Sequence, residues 1–255
     1  MSFNAKIEKY VGSITNLDTA TAVQQSTDYT LGLIKGNAPH LLPLFTRRIE
    51  ATNGNAFNLV ENHVFDLVKV ERLDGSTTYF VTPIPSNALH KISDSSSIYH
   101  AQAYSPAYSV SPNGELSIHP APDSTDKAFL YVVLGSAGKT FDVANDTTIK
   151  DSPATYYGAS DGIEENFPEN WKTFVILQAS ENLLREKIAD LTLGTSTATN
   201  AEAWLADEDE SMVQSTLQLV NQLNTQIGIV SQAKKEFLQS QGVGGISDNP
   251  KEGQI

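Results

Sequence analysis

The chain has 255 residues, of which 40% are apolar and 18% charged, enough for a substantial core in one large or two small domains rather than wholesale disorder. It contains no cysteine, which excludes disulfides, thiolate nucleophiles and cysteine-based zinc sites. Acidic residues outnumber basic ones 30 to 17, a net charge of −13 that argues against tight nucleic-acid binding, where counterion release requires a basic face.

No segment approaches the roughly 20 apolar residues of a bilayer span, and the first residues lack the apolar run of a secretory signal, so no membrane partner is expected. Residues 1 to about 15 carry little pattern and predict an extended or loose arm. From Asp18 a helix is predicted, capped by that residue, with Ala22, Val23, Leu31, Leu33 and Ile34 on its apolar side and Gly36-Asn37 as its stop. A short apolar segment, Pro39 to Phe45, is broken by Pro43. From Val64 the period changes to two. Val64–Arg72, Asp74-Gly75 and Thr77–Val81 read as a β-hairpin, and Ser86 is positioned to cap a short helix ending near Ile92. Further strands follow, among them Glu115–His119 after a Ser111–Gly114 turn and Ala128–Leu134. The Asn113-Gly114 pair suits the positive φ angles of a tight hairpin turn. Gly135–Glu165 reads as loop.

The last third is helical. Pro168 suits a first helical position and Glu169 the positive end of the dipole. Trp171, Phe174, Val175, Leu177, Leu184, Ile188 and Leu191, with Ile176, Ala179 and Leu183 beside them, make this helix apolar nearly all round, which places it centrally. It is expected to stop at Gly194, with Thr195–Asn200 as linker. A second helix is predicted from about Asp209 to Gln241, opening on Asp207–Glu210 and closing near Lys234-Lys235 and Gly242, both ends favourable to the dipole.

The candidate chemistry is thin. Gly158-Ala159-Ser160-Asp161-Gly162 matches a hydrolase elbow, but that triad needs a later histidine, and His40, His63, His90, His100 and His119 all precede Ser160. His90 and His100 flank Ser95-Ser96-Ser97, a proximity more often incidental than catalytic. The histidines lack metal-ligand spacing, and Asp207–Glu210 lacks the spaced ligands of a calcium loop. No phosphate-cradling glycine motif occurs. Tyr99, Tyr104, Tyr108 and Tyr131 lack the basic neighbours of a base-stacking surface and are expected to pack across strands. No catalytic residue, cofactor or metal is assigned, and the chain is read as a non-enzyme.

The feature that points to a partner is the long last helix. Val213, Leu217, Val220, Leu223, Ile227, Val230 and Phe237 step by threes and fours, as a helix–helix seam does, while Leu219, Ile229 and Leu238 are read as lying off that stripe. A helix apolar on a second face often has a second partner. The interface assigned from sequence is therefore Trp171, Leu217, Leu219, Val220, Ile227, Ile229, Val230, Phe237 and Leu238.

One stretch carries a resemblance. Ser95-Ser96-Ser97-Ile98-Tyr99, Ser105-Pro106-Ala107-Tyr108, Asn113-Gly114, Pro120-Ala121-Pro122 and Ala128-Phe129-Leu130-Tyr131 precede an acidic loop and Phe167-Pro168-Glu169-Asn170-Trp171. Over roughly residues 84–193 this pattern resembles virion structural proteins of tailed bacteriophages, and more narrowly their head-to-tail adaptor (connector) proteins. The resemblance implies a ring, usually twelve-fold, beneath the portal in the virion neck, assembled in the host cytoplasm. Its partners would be further copies of itself, the portal above, a tail or neck protein below, and DNA in non-adhesive transit. It implies that each copy presents two faces, assigned to the 168–193 and 209–241 helices, with the arm before Thr15 and the tail after Gly242 reaching the portal or a neighbour. Sequence and resemblance together predict an α+β fold: a helical bundle from N- and C-terminal segments with an inserted small antiparallel β-domain. The expected parts are an arm and helix at 1–55, the β-domain at 56–150, C-terminal helices at 151–241 and a mobile tail at 242–255. The alternatives are another minor virion protein, such as a tail-completion protein, or a soluble module that binds through its β-domain.

Overall fold

The fold is α+β. A computed structural model describes residues 1–51, 57–122, 127–136, 139–141, 143–144, 149–151, 167–196 and 210–243. The chain divides into two compact units: a helical one (Met1–Ala38, Phe141–Thr147 and Glu169–Ile255) and a sheet one (Pro39–Thr140 and Thr148–Pro168).

In the helical unit, α1 (Phe3–Val11) occupies the place where a loose arm is predicted. Phe3, Ile7 and Val11 recur at helical spacing and are all buried, and the Ser2 hydroxyl accepts the Ala5 N–H at 3.2 Å. Nine residues cannot hold a helix alone, so packing against the C-terminal helices stabilises it; the Ser2 cap and the Phe3, Ile7, Val11 spacing are its faint local signal. α2 (Thr19–Asn37) begins at the predicted cap: Asp18 accepts from the Thr21 N–H at 3.0 Å and from the Thr21 hydroxyl at 2.6 Å. Its buried side includes Thr27 and Thr30, whose hydroxyls donate to Val23 and Ser26 carbonyls.

α3 (Glu169–Ser196) is the element against which α1, α2 and α4 (Glu210–Ser240) all pack. Trp171, Phe174, Val175, Ile176, Leu177, Ala179, Leu183 and Leu184 are buried, as its all-round apolar surface requires. It runs through Gly194 to Ser196, so Gly194 is not the stop; the rest of the predicted linker lies outside the described residues. α4 closes on a Schellman turn. The Val243 N–H bonds to Leu238 O at 3.0 Å, the Gly242 N–H bonds to Gln239 O at 3.1 Å, and Gly242 takes φ 71°. Val243 and Leu238 are both buried, the apolar contact this motif usually brings, so the predicted tail does not begin at 242.

The sheet unit holds β1 (Arg47–Ala51), β2 (Phe57–Asn58), β3 (Val64–Asp74), β4 (Thr77–Phe80), β5 (Thr82–Pro83), β6 (Ala107–Val110), β7 (Glu115–His119) and β8 (Lys127–Leu134). They form two four-stranded sheets, ordered β1-β8-β3-β4 and β2-β7-β6-β5. All pairs are antiparallel except β5–β6, which is parallel. Ile49, Val70, Leu130, Val132 and Leu134 from the first sheet share one core with Phe57, Leu116 and Ile118 from the second. The expected boundary at 55/56 is thus corrected: Arg47–Ala51 pairs with β8, and its charged Arg-Arg-Ile-Glu sequence hides that strand. The predicted loop at 135–165 also contains a strand pair, β9 (Lys139–Phe141) with β10 (Ile149–Asp151). A 3-10 turn at Ser86–Lys91 is entered from Pro85 with no side-chain cap, so Ser86 lies inside the turn and not before it.

The hairpin turns differ from one another. At Gly75, φ is 58° while Ser76 stays negative, the II′ arrangement that suits a two-residue loop. At Ser111–Gly114 only Gly114 is positive, at φ 82°; Asn113 is not, so the sequence expectation is met at the glycine alone. The Gly114 N–H bonds to Ser111 O at 2.9 Å, and a Cβ on Gly114 would lie 2.5 Å from Val60 Cγ2 and 3.2 Å from the Val60 nitrogen.

Candidate interaction surface

The surface of α4 is best read from what the helix buries. Leu223, Val230 and Leu238 are buried, with Ile227 and Phe237 partly so, a stripe stepping by fours and threes. Phe237 meets the Trp171 ring edge-on at 5.2 Å between centroids, and Trp171 meets Phe174 at 6.0 Å. Trp171, Val230 and Leu238, assigned from sequence to an interface, are therefore corrected to core: α3 and α4 consume them within the chain. Leu238, expected off the stripe, falls on it beside Phe237, one step on.

Leu217, Leu219 and Ile229 remain, exposed by 57%, 42% and 61%. At 100° per residue they point in separate directions, so α4 is apolar toward solvent on more than one side. Val220 is half-buried. Leu219 and Leu223 also line an open groove of about 470 Å³ with Val11, Leu17 and Leu191. Lys187 forms part of its wall. Its ammonium donates to Val11 O at 2.9 Å and Ser13 O at 2.6 Å, meeting the carbonyl end of α1, and burial pushes it below the ordinary lysine range. Most of the first half of the 168–193 segment, assigned to an intersubunit face, is buried instead; Glu169, Asn170 and Thr173 are exposed there, and exposed residues recur only from Arg185 onward.

An ion cluster stands behind this surface. Glu181 of α3 accepts from Lys234 of α4 at 2.7 Å and from Arg185 at 2.8 Å. Burial alone would raise the Glu181 carboxyl, but hydrogen bonds from Lys234 and Arg185, with their charges, hold it below the usual carboxylate range. Lys234 also lies 5.9 Å over the rings of both Tyr29 and Phe174. From sequence Lys234 is expected only as a partner of the helix dipole. The signal for it in the sequence is its place on the buried stripe between Val230 and Phe237, opposite Glu181, the one carboxylate between Trp171 and Leu184 of α3.

In the sheet unit, Tyr108 packs beside the inter-sheet core and Tyr99 against Ile84, Ala88 and Ala107. The Tyr131 hydroxyl donates to Glu71 at 2.9 Å, and Glu71 also pairs with Lys69. Tyr104 departs from the packing expectation and is largely exposed. The His100 Nδ1 sits 3.0 Å from Ile92 O, the Ser96 hydroxyl donates to Asp94 at 2.6 Å, and the Ser97 hydroxyl accepts the Tyr99 N–H, so these groups serve local turns. Ser160 and Asp207–Asp209 lie outside the described residues. Among the described residues no cluster of histidine or carboxylate side chains could hold a metal, and no helix is long and apolar enough to cross a membrane. No protein-family model matches the chain, and no curated protein matches it.

Proposed function

We propose that the chain is a structural protein of a tailed-bacteriophage virion, a head-to-tail adaptor that forms a closed ring beneath the portal. The observation that carries this reading is the solvent-facing apolar surface of α4. Leu217, Leu219 and Ile229 stay exposed although the same helix already covers α3 through Leu223, Val230 and Leu238. Large apolar side chains spread around an already packed helix fit a second protein partner, and a cyclic ring needs two different faces per subunit. The pattern from Ser95 to Trp171 supplies the phage assignment. The net charge of −13 supports a wall that lets DNA phosphates pass without adhering.

In this reading twelve copies surround the channel, the portal lies above, and a tail or further neck protein lies below. Placing aspartate at both Leu217 and Ile229 should leave the chain folded, because neither side chain is buried. Mixed with its portal, the wild-type chain should sediment as a ring-bearing complex, whereas the double variant should remain free. A double variant that assembles as well as wild type would defeat the reading.

A further inference from the structure

Among the described residues the first sheet ends on two edge strands, β1 and β4, and they differ. β1 carries Arg47, Arg48 and Glu50; the Arg48 guanidinium lies 3.7 Å over Phe129, and Glu50 pairs with Lys127 at 2.6 Å. Charged side chains on an edge strand discourage pairing with another chain. β4 has none of this protection. From Gly75 to Pro83 every residue is uncharged, in a chain of net charge −13. Thr77 and Thr78 are exposed, Phe80 is 59% exposed, and among the described residues no strand lies beyond β4.

The register fixes which backbone groups are open. β4 pairs with β3 through Tyr79↔Arg72 and Phe80↔Glu71, and the Val81 N–H bonds to Val70 O at 3.0 Å. Antiparallel pairing alternates, so Thr77, Tyr79 and Val81 face β3 with their N–H and C=O groups. Thr78 and Phe80 turn theirs outward. Two such edges laid antiparallel are self-complementary. Centred on Tyr79, Thr78 of one copy exchanges N–H and C=O with Phe80 of the other, reciprocally, and the two Tyr79 residues face each other.

We infer that the β4 edge, residues 77–80, is a strand-pairing site for a second copy of this chain, joining the two β3–β4 hairpins across a two-fold axis. The occupant is a second copy because an uncharged edge is where two strongly acidic chains approach without like charges opposed. The contact is isologous, so it closes at two copies. It does not rest on the ring reading: it joins two single chains, or two rings if rings form.

Thr78→Pro tests this directly. It removes an outward N–H while leaving the bonds to β3 intact, and proline is tolerated on an edge strand whose N–H faces solvent. Mass by light scattering, over a concentration series up to about 1 mM, the range of the weakest specific contacts, should rise toward twice 27.6 kDa for wild type. If rings form, ring mass should double. Thr78→Pro should weaken that doubling at least tenfold, and Ile229→Asp should leave it unchanged. Doubling that persists in a folded Thr78→Pro variant, or is absent from wild type, would overturn the inference. If Thr78→Pro does not fold, Phe80→Lys replaces it, and unaltered doubling there overturns it equally. Loss of rings in Ile229→Asp with doubling retained separates this contact from the α4 surface.

Discussion

The two units reach stability differently. The helical unit is organised around one element: α3 is the surface that α1, α2 and α4 share, and Trp171, Phe174 and Leu183 lie within it. The sheet unit draws instead on two sheets, with β8 paired to both β1 and β3 in the first. Its core is distributed over strands from two sheets, and its geometry depends on backbone conformations such as those at Gly75 and Gly114. A helix satisfies its own backbone and offers partners only side chains, whereas a sheet leaves edges whose main chain is itself adhesive. The two proposed interaction surfaces therefore take different forms: exposed leucine and isoleucine on α4, and outward N–H and C=O groups on β4.

The contrast is broken most severely at Trp171. Trp171→Ala should cost about 4 kcal/mol, since the ring packs against both Phe174 and Phe237 and its loss leaves a large cavity. Hydrogen exchange should rise across α1, α2 and α4 together while β3 and β8 keep their protection; loss confined to α3 would show that it does not organise the unit.

Lys234→Met comes next, at about 3 kcal/mol, the lower end for a broken buried pair because Arg185 remains on Glu181. The Glu181 carboxyl is held below its unfolded value, so its stabilisation is present above the unfolded carboxylate range and is lost as pH falls through the folded value. Denaturation of wild type below about pH 4.5 should carry this loss, and Lys234→Met should flatten it. An unchanged acid limb would contradict the assignment.

Gly114→Ala should cost about 2 kcal/mol, from a positive φ and the displaced Val60, and should weaken the sheet unit without touching α1 to α4. Ile229→Asp should act on the surface of α4 alone. Its stability should stay within about 0.5 kcal/mol of wild type, so a loss of assembly in it reports the surface and not the fold.

Much of this was legible in the sequence where local chemistry decides. Asp18 announced α2, Gly242 the end of α4, and the β3–β4 hairpin followed from its alternation and Asp74-Gly75. What stayed hidden depends on distant partners. α1 has a cap and an apolar spacing too short to hold a helix without its partners, β1 is a strand only because β8 lies beside it, and the Glu181–Lys234 pair joins residues far apart in sequence. The candidate surface was legible only as an excess of apolar positions on α4. Which of them the core would take, Val230 and Leu238, and which it would leave, Leu217 and Ile229, depended on how α4 lies against α3.

In the proposed function, copies of this chain close into a ring at a phage neck. Its most direct measurement is the mass and negative-stain image of the purified chain, alone and mixed with its candidate portal. Rings, or single chains that become rings on the portal, are the expected result. A chain that remains indifferent to the portal at every concentration would contradict it.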